Sequence, residues 1–246
     1  MKIALVGYGR MGKAVERVAL EAGHEVTARI DLPDAGSAPL TAEGLNGAEV
    51  AVEFTAPTAA ADNLEALAAA GVDAVCGTTG WYEELDRVRK AVESAATGLI
   101  YAPNFSLGVH AFFRLARAAA RLAERLEDWD VHLLEAHHRH KADHPSGTAR
   151  ALAQVLLEEI TRKRVWELGP GSGPVDPAIL QVTAVRAGSI PGTHSVGLEG
   201  PDDRIELRHE ARDRGGFARG ALAAAEWIRG RKGVFTLDDM LADRWS

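Results

Sequence analysis

The feature that most constrains the fold is an alternation of short apolar strands with helices, which begins at residue 2. The run K-I-A-L-V-G at 2–7 predicts a buried strand, and 10–22 has helical spacing before Gly23, which suits a helix C-terminal cap. Further strands are predicted at 24–31, 48–55, 72–76 and 98–103, with helices at 57–70 and 81–95. Such alternation is typical of a parallel α/β sheet. We therefore predict a Rossmann-type, doubly wound parallel sheet in the first domain.

The pattern changes after Asn104. The sequence predicts a helix at 108–127, a strand at 130–136, a helix at 147–163 and three closely spaced strands at 178–187, 193–199 and 203–211. Strands joined by such short turns are expected to pair antiparallel, because a parallel connection needs about a dozen residues. We predict an α+β second domain over 105–214 for substrate binding and oligomerisation. Helices at 216–229 and 236–242 return to the dinucleotide-binding domain, which then comprises 1–104 plus 215–246.

Composition narrows the class of protein. The chain is 46% hydrophobic and has one cysteine, Cys76, which excludes an intramolecular disulfide and fits a reducing cytosol. A net charge of −7 argues against a general nucleic-acid binder. No apolar run approaches the ~20 residues that span a bilayer, and the N-terminus lacks a signal-peptide pattern. We expect a cytoplasmic protein whose partner is a small molecule, without nucleic acid or membrane.

The first motif with chemical meaning is a glycine loop between the first strand and the first helix. Its residues are Gly7, Tyr8, Gly9, Arg10, Met11 and Gly12. The glycines allow a tight turn, close approach of a pyrophosphate and close helix packing. Asp31, about 20 residues on at the end of the second strand, could bind a ribose hydroxyl pair. The loop predicts a dinucleotide site; the alternative is a glycine-rich turn without a ligand.

Three later junctions are expected to line the same site, and the first is Glu53-Phe54-Thr55-Ala56-Pro57 after the third strand. The cofactor-binding residues predicted at the other two are Gly77, Thr78 and Thr79 after the fourth strand, and Ala102, Pro103, Asn104 and Phe105 after the fifth. These junctions follow apolar strands, at the carboxyl edge where open α/β sheets bind ligands. An ordinary helix cap is the alternative for 77–80.

Asp31 also predicts the choice of cofactor. A carboxylate accepts hydrogen bonds from the 2′- and 3′-hydroxyls of NADH but repels the 2′-phosphate of NADPH. Arg10 and Arg29 are the nearby cations that could still hold the phosphate. We predict that NADH is preferred and NADPH is still usable.

The second chemical motif is E-A-H-H-R-H-K-A-D-H-P-S-G-T-A-R at 135–150. Ser146 is a good N-cap, so the amides of Gly147 and Thr148 offer an anion site at a helix start. Lys141 adds a positive charge, and strand alternation sends one of His137 and His138 toward that site. A histidine delivers protons near neutral pH. The block predicts a pocket for a small dianionic or carboxylated substrate beside a proton donor.

Other interpretations of these histidines stay open. A zinc site from His137, His138, His140 and His144 is conceivable, although the spacing is not that of a helical H-E-x-x-H, and we expect no metal. The block could also be a solvated basic loop. The remaining histidines, among them His194, have no sequence argument beyond packing or local hydrogen bonds. As a whole, the chain could be another nicotinamide reductase or a nucleotide-sensing regulator.

Six segments together carry a resemblance to a known family. They are 7–12, E-F-T-A-P (53–57), G-T-T-G (77–80), P-N-F-S-L-G-V (103–109), 135–149 and V-R-A-G-S-I-P-G-T-H (185–194). They resemble the 4-hydroxy-tetrahydrodipicolinate (dihydrodipicolinate) reductase family, and the most specific is the histidine block. One departure is 164–177, a Pro- and Gly-rich segment shorter than the loop common in that family.

The resemblance implies a cytoplasmic homotetramer of lysine and diaminopimelate biosynthesis. NADH or NADPH would give hydride to a cyclic dicarboxylate imine, with loss of water, to form tetrahydrodipicolinate. By this resemblance His137 is the acid/base residue and Lys141 the proton donor, while the substrate binders are His138, Gly147 and Thr148. The cofactor wall implied comprises Gly7–Gly12, Asp31, Gly77–Thr79 and Ala102–Phe105.

Overall fold

The computed structural model describes residues 1–31, 40–169 and 173–245. In chain order its elements are β1 (Lys2–Val6), α1 (Arg10–Glu21), β2 (Glu25–Ile30), β3 (Val50–Glu53), α2 (Pro57–Ala69), β4 (Asp73–Cys76), a 3-10 turn (Tyr82–Glu84), α3 (Leu85–Ser94), β5 (Gly98–Tyr101), α4 (Leu107–Glu124), β6 (Asp130–His137), α5 (Gly147–Glu159), β7 (Val165–Leu168), β8 (Ile179–Arg186), β9 (Thr193–Glu199), β10 (Arg204–Glu210), α6 (Gly215–Ile228), β11 (Gly233–Thr236) and α7 (Leu237–Trp245). They form two units, Met1–Ser106 with Arg214–Ser246, and Leu107–Asp213. Within the described ranges, no helix combines the length and the apolar character needed to cross a membrane.

The first unit is built on a parallel sheet with the strand order β11-β5-β4-β3-β1-β2. All residues of β3 and β4 are buried, as expected when helices cover both faces of a parallel sheet. Helix α1 packs with α6, and α2 packs with α3. The predicted Rossmann-type parallel sheet is confirmed, and its strand order reverses between β1 and β3, which is where such sheets bind ligands.

One edge strand of this sheet differs from the prediction. The sequence pattern predicts only helices after residue 216, whereas β11 pairs in parallel with β5, with Val234 opposite Leu99. The segment G-V-F-T is four residues long and partly buried throughout. A run this short has too few positions to show a period, so only its pairing identifies it as a strand.

The second unit is a mixed sheet with the order β10-β9-β6-β8-β7, and α4 and α5 pack on it. One row of side chains runs across β8, β6 and β9, because Leu133 of β6 is paired with Val182 of β8 and with Val196 of β9. All three are fully buried in one cluster with Leu152 and Leu156 of α5. This face of the sheet is therefore its hydrophobic core.

One predicted pairing in this unit is wrong. The runs at 178–187 and 193–199 were expected to pair with each other, but β6 lies between them, parallel to β8 and antiparallel to β9. The connection at 187–192 needs to cross only two strand spacings, about 10 Å, so a short link does not force its strands to be neighbours. The predicted antiparallel pair of β9 and β10 is confirmed.

The Pro- and Gly-rich segment also needs correction. The loop predicted at 167–174 begins inside β7, which pairs in parallel with β8. Val165 and Leu168 are exposed, so this edge strand lacks the alternating burial that would mark it in sequence. Residues 170–172 of the loop lie outside the described residues.

The packing of α6 predicts a strong position dependence for glycine replacement within one helix. A Cβ on Gly220 would collide with the backbone carbonyl of Phe105, whereas a Cβ on Gly216 would first meet Ser106 Oγ, at 3.7 Å. Gly220→Ala should therefore lower the free energy of unfolding by about 1–3 kcal/mol, as overpacking does. Gly216→Ala, the matched control, should be neutral or stabilising by up to ~1 kcal/mol, because alanine favours helix. Urea unfolding of both variants measures the difference; equal stabilities would contradict the close approach.

Candidate active site

The glycine loop leaves the N-terminus of α1 open. Gly7 has φ +90°, and a Cβ there would strike the carbonyl of Phe54. A Cβ on Gly12 would strike the carbonyl of Gly7, so both glycines are required by close backbone approach. Gly9, the N-cap of α1, has open space where its Cβ would be and supplies no capping side chain. The free amides of the first helical turn are therefore available to an anion.

Beside this loop is a cleft of about 330 Å³ at the carboxyl edge of the sheet. Its lining comprises Gly9, Arg10, Met11, Phe54, Thr55, Pro57, Gly77, Thr78 and Thr79. The structure thus brings together three of the segments predicted to line the cofactor site, namely the glycine loop, 53–57 and 77–80. Another cleft, of about 380 Å³, lies at Met1, His24, Glu226 and Arg229. Met1 precedes the first strand, so that cleft is at the amino edge, away from the usual ligand position of such sheets.

Hydrogen bonds fix the loops after β3 and β4 to each other. The Thr55 amide donates to Thr78 Oγ1 at 2.8 Å, and Trp81 Nε1 donates to the Thr78 carbonyl at 2.9 Å. A Cβ on Gly77 would overlap the Phe54 ring. The wall of the cleft is therefore held in place by its own residues.

The remaining predicted cofactor residues lie outside the lining of this cleft. Ala102 and Phe105 are buried, and the Phe105 ring meets the Phe54 ring edge-on at 6.4 Å. Asn104 Oδ1 accepts a hydrogen bond from the Ser106 amide at 2.7 Å. This segment therefore supports the cleft through Phe54, while Asp31 is exposed at the end of β2.

A buried carboxylate that the sequence analysis did not select lies under the cleft. Glu53 has no exposed surface and accepts hydrogen bonds from both the amide and the hydroxyl of Thr55. The Cys76 thiol donates to its other oxygen at 3.1 Å. Burial, and then the charge of Glu53, raises the pKa of Cys76 well above its usual value, so this cysteine stays a thiol and is no nucleophile.

In the second unit, the histidine block is organised by Glu135. Strand alternation places Glu135 and His137 on the same buried face of β6. His137 Nδ1 is hydrogen-bonded to Glu135 Oε2, and an acceptor carboxylate requires the proton on Nδ1. Nε2 then remains for proton exchange. Nε2 lies close to Gly192, because a Cβ added to Gly192 would be only 3.0 Å from this nitrogen.

The second oxygen of Glu135 has two further donors. Arg186 Nη2 lies 2.7 Å from Oε1, and the Ser146 amide lies 3.1 Å from it. Burial pushes the pKa of Glu135 up, but the hydrogen bonds from His137, Arg186 and Ser146 outweigh it and lower the pKa from 4.5 to about 2. Glu135 therefore stays ionised and ties β6, β8 and the start of α5 together.

His194 completes this group, although the sequence offered no argument for it. Its ring meets the His137 ring at 5.2 Å, and its Nε2 lies 3.2 Å from Ser146 Oγ. Burial, and then the charge of His137, lowers the pKa of His194 from 6.5 to about 4. It is therefore neutral at physiological pH and shares a hydrogen bond with the Ser146 hydroxyl, while Ser146 Oγ accepts from the Ala149 amide as an N-cap.

The cluster is a proton network more than a metal site. Glu135, His137 and His194 offer ligand atoms within 4.8 Å of one another, and of the four histidines considered for zinc only His137 belongs to this group. Arg186 already places a positive charge on Glu135, which opposes a cation there.

The predicted anion site at the start of α5 is occupied by a side chain of the protein itself. Asp143 Oδ2 accepts from the Gly147 amide at 3.0 Å, and its Oδ1 lies 2.7 Å from Lys141 Nζ. The Asp143 carboxylate therefore occupies the groups at which the sequence predicts a ligand carboxylate. His138 is separate from the Glu135 group, and its buried Nδ1 has no hydrogen-bond partner among the described residues.

Comparison with known proteins decides the family. Residues 1–105 match the family model for the N-terminus of dihydrodipicolinate reductase, and 108–241 match the one for its C-terminus. The chain belongs to the dihydrodipicolinate reductase family. It is therefore an oxidoreductase, and the amino-terminal family domain implies a nicotinamide nucleotide cofactor.

Curated relatives of this family match over almost their full length. A 4-hydroxy-tetrahydrodipicolinate reductase of Christiangramia forsetii is 38% identical, covering 99% of this chain and 98% of the relative. One of Caulobacter vibrioides is 40% identical, covering 98% and 97%. The fold is also that of a dipicolinate-bound dihydrodipicolinate reductase from Paenisporosarcina sp. TG-14, with a TM-score of 0.75 at 23% identity, over 96% of this chain and 97% of that one.

The buried histidine of this reductase family member predicts a pH dependence of stability. His194 stays neutral when folded down to about pH 4, whereas in the unfolded chain it binds a proton below its ordinary pKa of 6.5. Wild-type stability should therefore fall by on the order of 3 kcal/mol, from this group, as pH drops from 6.5 to 4. His194→Gln should remove that part of the slope in urea unfolding followed across pH.

Glu135 provides the contrast for this measurement. Its folded pKa is depressed, so its stabilisation is complete above 4.5 and is lost as pH falls through about 2. Glu135→Gln should therefore change how the free energy of unfolding depends on pH below pH 4.5. It should leave the slope between pH 6.5 and pH 4 unchanged. A His194→Gln variant with the full wild-type slope would show that this histidine is charged when folded.

Proposed function

We propose that the chain reduces 4-hydroxy-tetrahydrodipicolinate to tetrahydrodipicolinate with hydride from NADH or NADPH, in lysine and diaminopimelate biosynthesis. The observation that carries this proposal is the buried Glu135–His137 pair beside Lys141 and the start of α5. Support comes from curated relatives that carry this enzyme name over nearly the whole chain. The proposed location is the cytoplasm, where reduced nicotinamide nucleotide is available.

The residues of the first unit fit a nicotinamide nucleotide. Gly7 and Gly12 make the turn, open Gly9 lets a pyrophosphate reach the helix amides, and the cleft wall at Thr55 and Thr78 is rigid. When bound, the nucleotide supplies a hydride. The proposed roles of Ala102–Phe105 are to support Phe54 and close the far wall.

The residues of the second unit suit a dicarboxylate. Asp143 shows that Lys141 and the Gly147 amide hold a carboxylate together, so a substrate carboxylate takes its place there by the same bonds. We assign His138 and Thr148 to the same anchor. The relative from Paenisporosarcina was solved with dipicolinate, a ligand of this charge type.

Proton supply falls to His137 and Lys141. Hydride addition to a conjugated imine increases electron density on the substrate, and loss of the 4-hydroxyl as water also needs a proton. Glu135 accepts a hydrogen bond from His137 Nδ1 and so fixes the imidazole ring, which leaves Nε2 to deliver the proton. A positioned donor of this kind lowers the barrier by ~3–5 kcal/mol.

His137→Ala and Lys141→Ala should each reduce turnover more than tenfold, by about 10²-fold if proton transfer is lost. Nucleotide affinity should stay near wild type, because the glycine loop and its cleft lie in the other unit. His140→Ala, an exposed neighbour in the same block, is the matched control. Steady-state rates with substrate generated in situ and fluorescence titration with NADH measure both quantities; equal loss of nucleotide affinity would contradict the assignment.

We further propose that NADH is preferred over NADPH, because Asp31 directly follows β2, where a ribose 2′-hydroxyl binds in this fold. The difference should be modest, about 1–2 kcal/mol, since Asp31 is exposed and its charge is screened. Asp31→Ala should reduce the preference to less than threefold. Titration of both nucleotides against the two proteins tests this, and tighter NADPH binding by the unmodified chain would contradict it.

The proposed assembly is a homotetramer that uses the outer face of the second sheet. Ser195, Leu134 and Thr183 form one row on the face opposite the core, and Val185, two residues on, is 39% exposed. A sheet with helices on one face leaves the other to be covered.

Light scattering at micromolar concentration should show an oligomer, and Val185→Lys should reduce its mass by placing a charge in the contact. Val175→Lys is the matched control, because Val175 is 44% exposed but lies outside the strands. A wild-type monomer would remove the proposal.

A further inference from the structure

The nucleotide end of the first unit contains a side-chain bridge that the chemistry above does not use. Glu16 lies on α1 with only 15% of its side chain exposed. The Tyr8 hydroxyl donates to Glu16 Oε2. Arg29 Nε donates to Glu16 Oε1 at 2.7 Å, and Arg29 Nη2 joins it on the same oxygen. One carboxylate therefore ties the glycine loop to the end of β2.

Two cations surround the aromatic ring of this bridge. The Arg29 guanidinium and the Lys13 ammonium each lie 5.8 Å from the centre of the Tyr8 ring, within cation–π range. A phosphate dianion binds well where an arginine and a second cation meet. The side chains around Tyr8 thus contain the cations of a phosphate site, with Glu16 bound to one of them.

The position of the bridge matches the end of the nucleotide that distinguishes NADH from NADPH. Arg29 lies two residues before Asp31 and so on the same side of the extended chain. An acidic residue at the place of Asp31 meets the ribose 2′-hydroxyl in dinucleotide folds. Burial pushes the pKa of Glu16 up, but the hydrogen bonds from Tyr8 and Arg29 outweigh it and lower the pKa, so Glu16 is charged.

We infer that Glu16 is a specificity-determining residue, which disfavours NADPH by holding the Arg29 guanidinium away from a 2′-phosphate. This inference rests on the proposed nicotinamide nucleotide function and extends it from Asp31 to a second carboxylate. Glu16 and Asp31 together balance the charges of Arg29 and Lys13. Without the charge of Glu16, these side chains carry one net positive charge, and the Arg29 guanidinium is no longer held by a carboxylate.

The test is nucleotide binding, measured without turnover. Glu16→Gln keeps the size of the side chain and an oxygen for the Tyr8 hydroxyl, but removes the charge that holds Arg29. Its NADPH dissociation constant should fall about fivefold, the effect of one exposed ion pair, while that of NADH stays within twofold. Calorimetric titration with 2′,5′-ADP and 5′-AMP, which lack the nicotinamide, should show the same contrast.

Two further variants locate the effect. Glu21→Gln is the matched control, since Glu21 lies on the same helix but pairs with Arg17 on the exposed side. It should change neither affinity. Adding Arg29→Met to Glu16→Gln should abolish the gain for NADPH. Arg29→Met alone should alter NADPH affinity less than twofold, because Glu16 already holds the guanidinium.

Unchanged NADPH and 2′,5′-ADP affinities in Glu16→Gln, with NADH binding intact, would overturn the inference. So would a gain that survives Arg29→Met, or a large loss of NADPH affinity in Arg29→Met alone. Tighter binding of NADPH than of NADH by the unmodified chain would contradict the proposed NADH preference but would leave the role of Glu16 to be judged separately. That role is measured by the ratio of the NADPH dissociation constants of Glu16→Gln and wild type.

Discussion

The second unit depends on one buried negative charge. A carboxylate with no exposed surface is costly unless hydrogen-bond donors and a positive group surround it. Glu135 has all of these, in His137, Arg186 and the Ser146 amide. Because each donor belongs to a different segment, satisfying this one charge brings the end of β6, the end of β8 and the start of α5 together. The same bonds select the tautomer of His137 in which Nδ1 carries the proton.

In the first unit, close approach between backbone segments holds the parts of the cleft together, as Glu135 does in the second unit. Gly7, Gly12 and Gly77 each lie where a Cβ would meet another backbone or ring, so the cleft is formed by segments in direct contact. Above this scaffold lie the charged side chains to which we assign the choice between NADH and NADPH. Glu53 is fully buried and accepts from hydroxyl, amide and thiol donors, whereas Glu16 and Arg29 are partly exposed and can exchange partners more easily.

Asp143 occupies the anion site that the sequence predicts. The sequence indicated an anion site at the start of α5 from the Ser-Gly-Thr turn and Lys141. The structure places the Asp143 carboxylate of the chain itself on those groups, so they bind the type of charge that the proposed substrate carries.

Local patterns in the sequence determined the parallel first sheet, most helix bounds, the glycine loop and the histidine block, because these depend on neighbours a few residues apart. Tertiary structure alone decided that β6 separates β8 from β9, and that β7 and β11 are edge strands. It also paired Glu135 with Arg186, 51 residues away, and Ser146 with His194, 48 residues away. Such pairs follow from strand register, which is chosen by the packing of whole sheet faces and leaves no periodic signal near either residue.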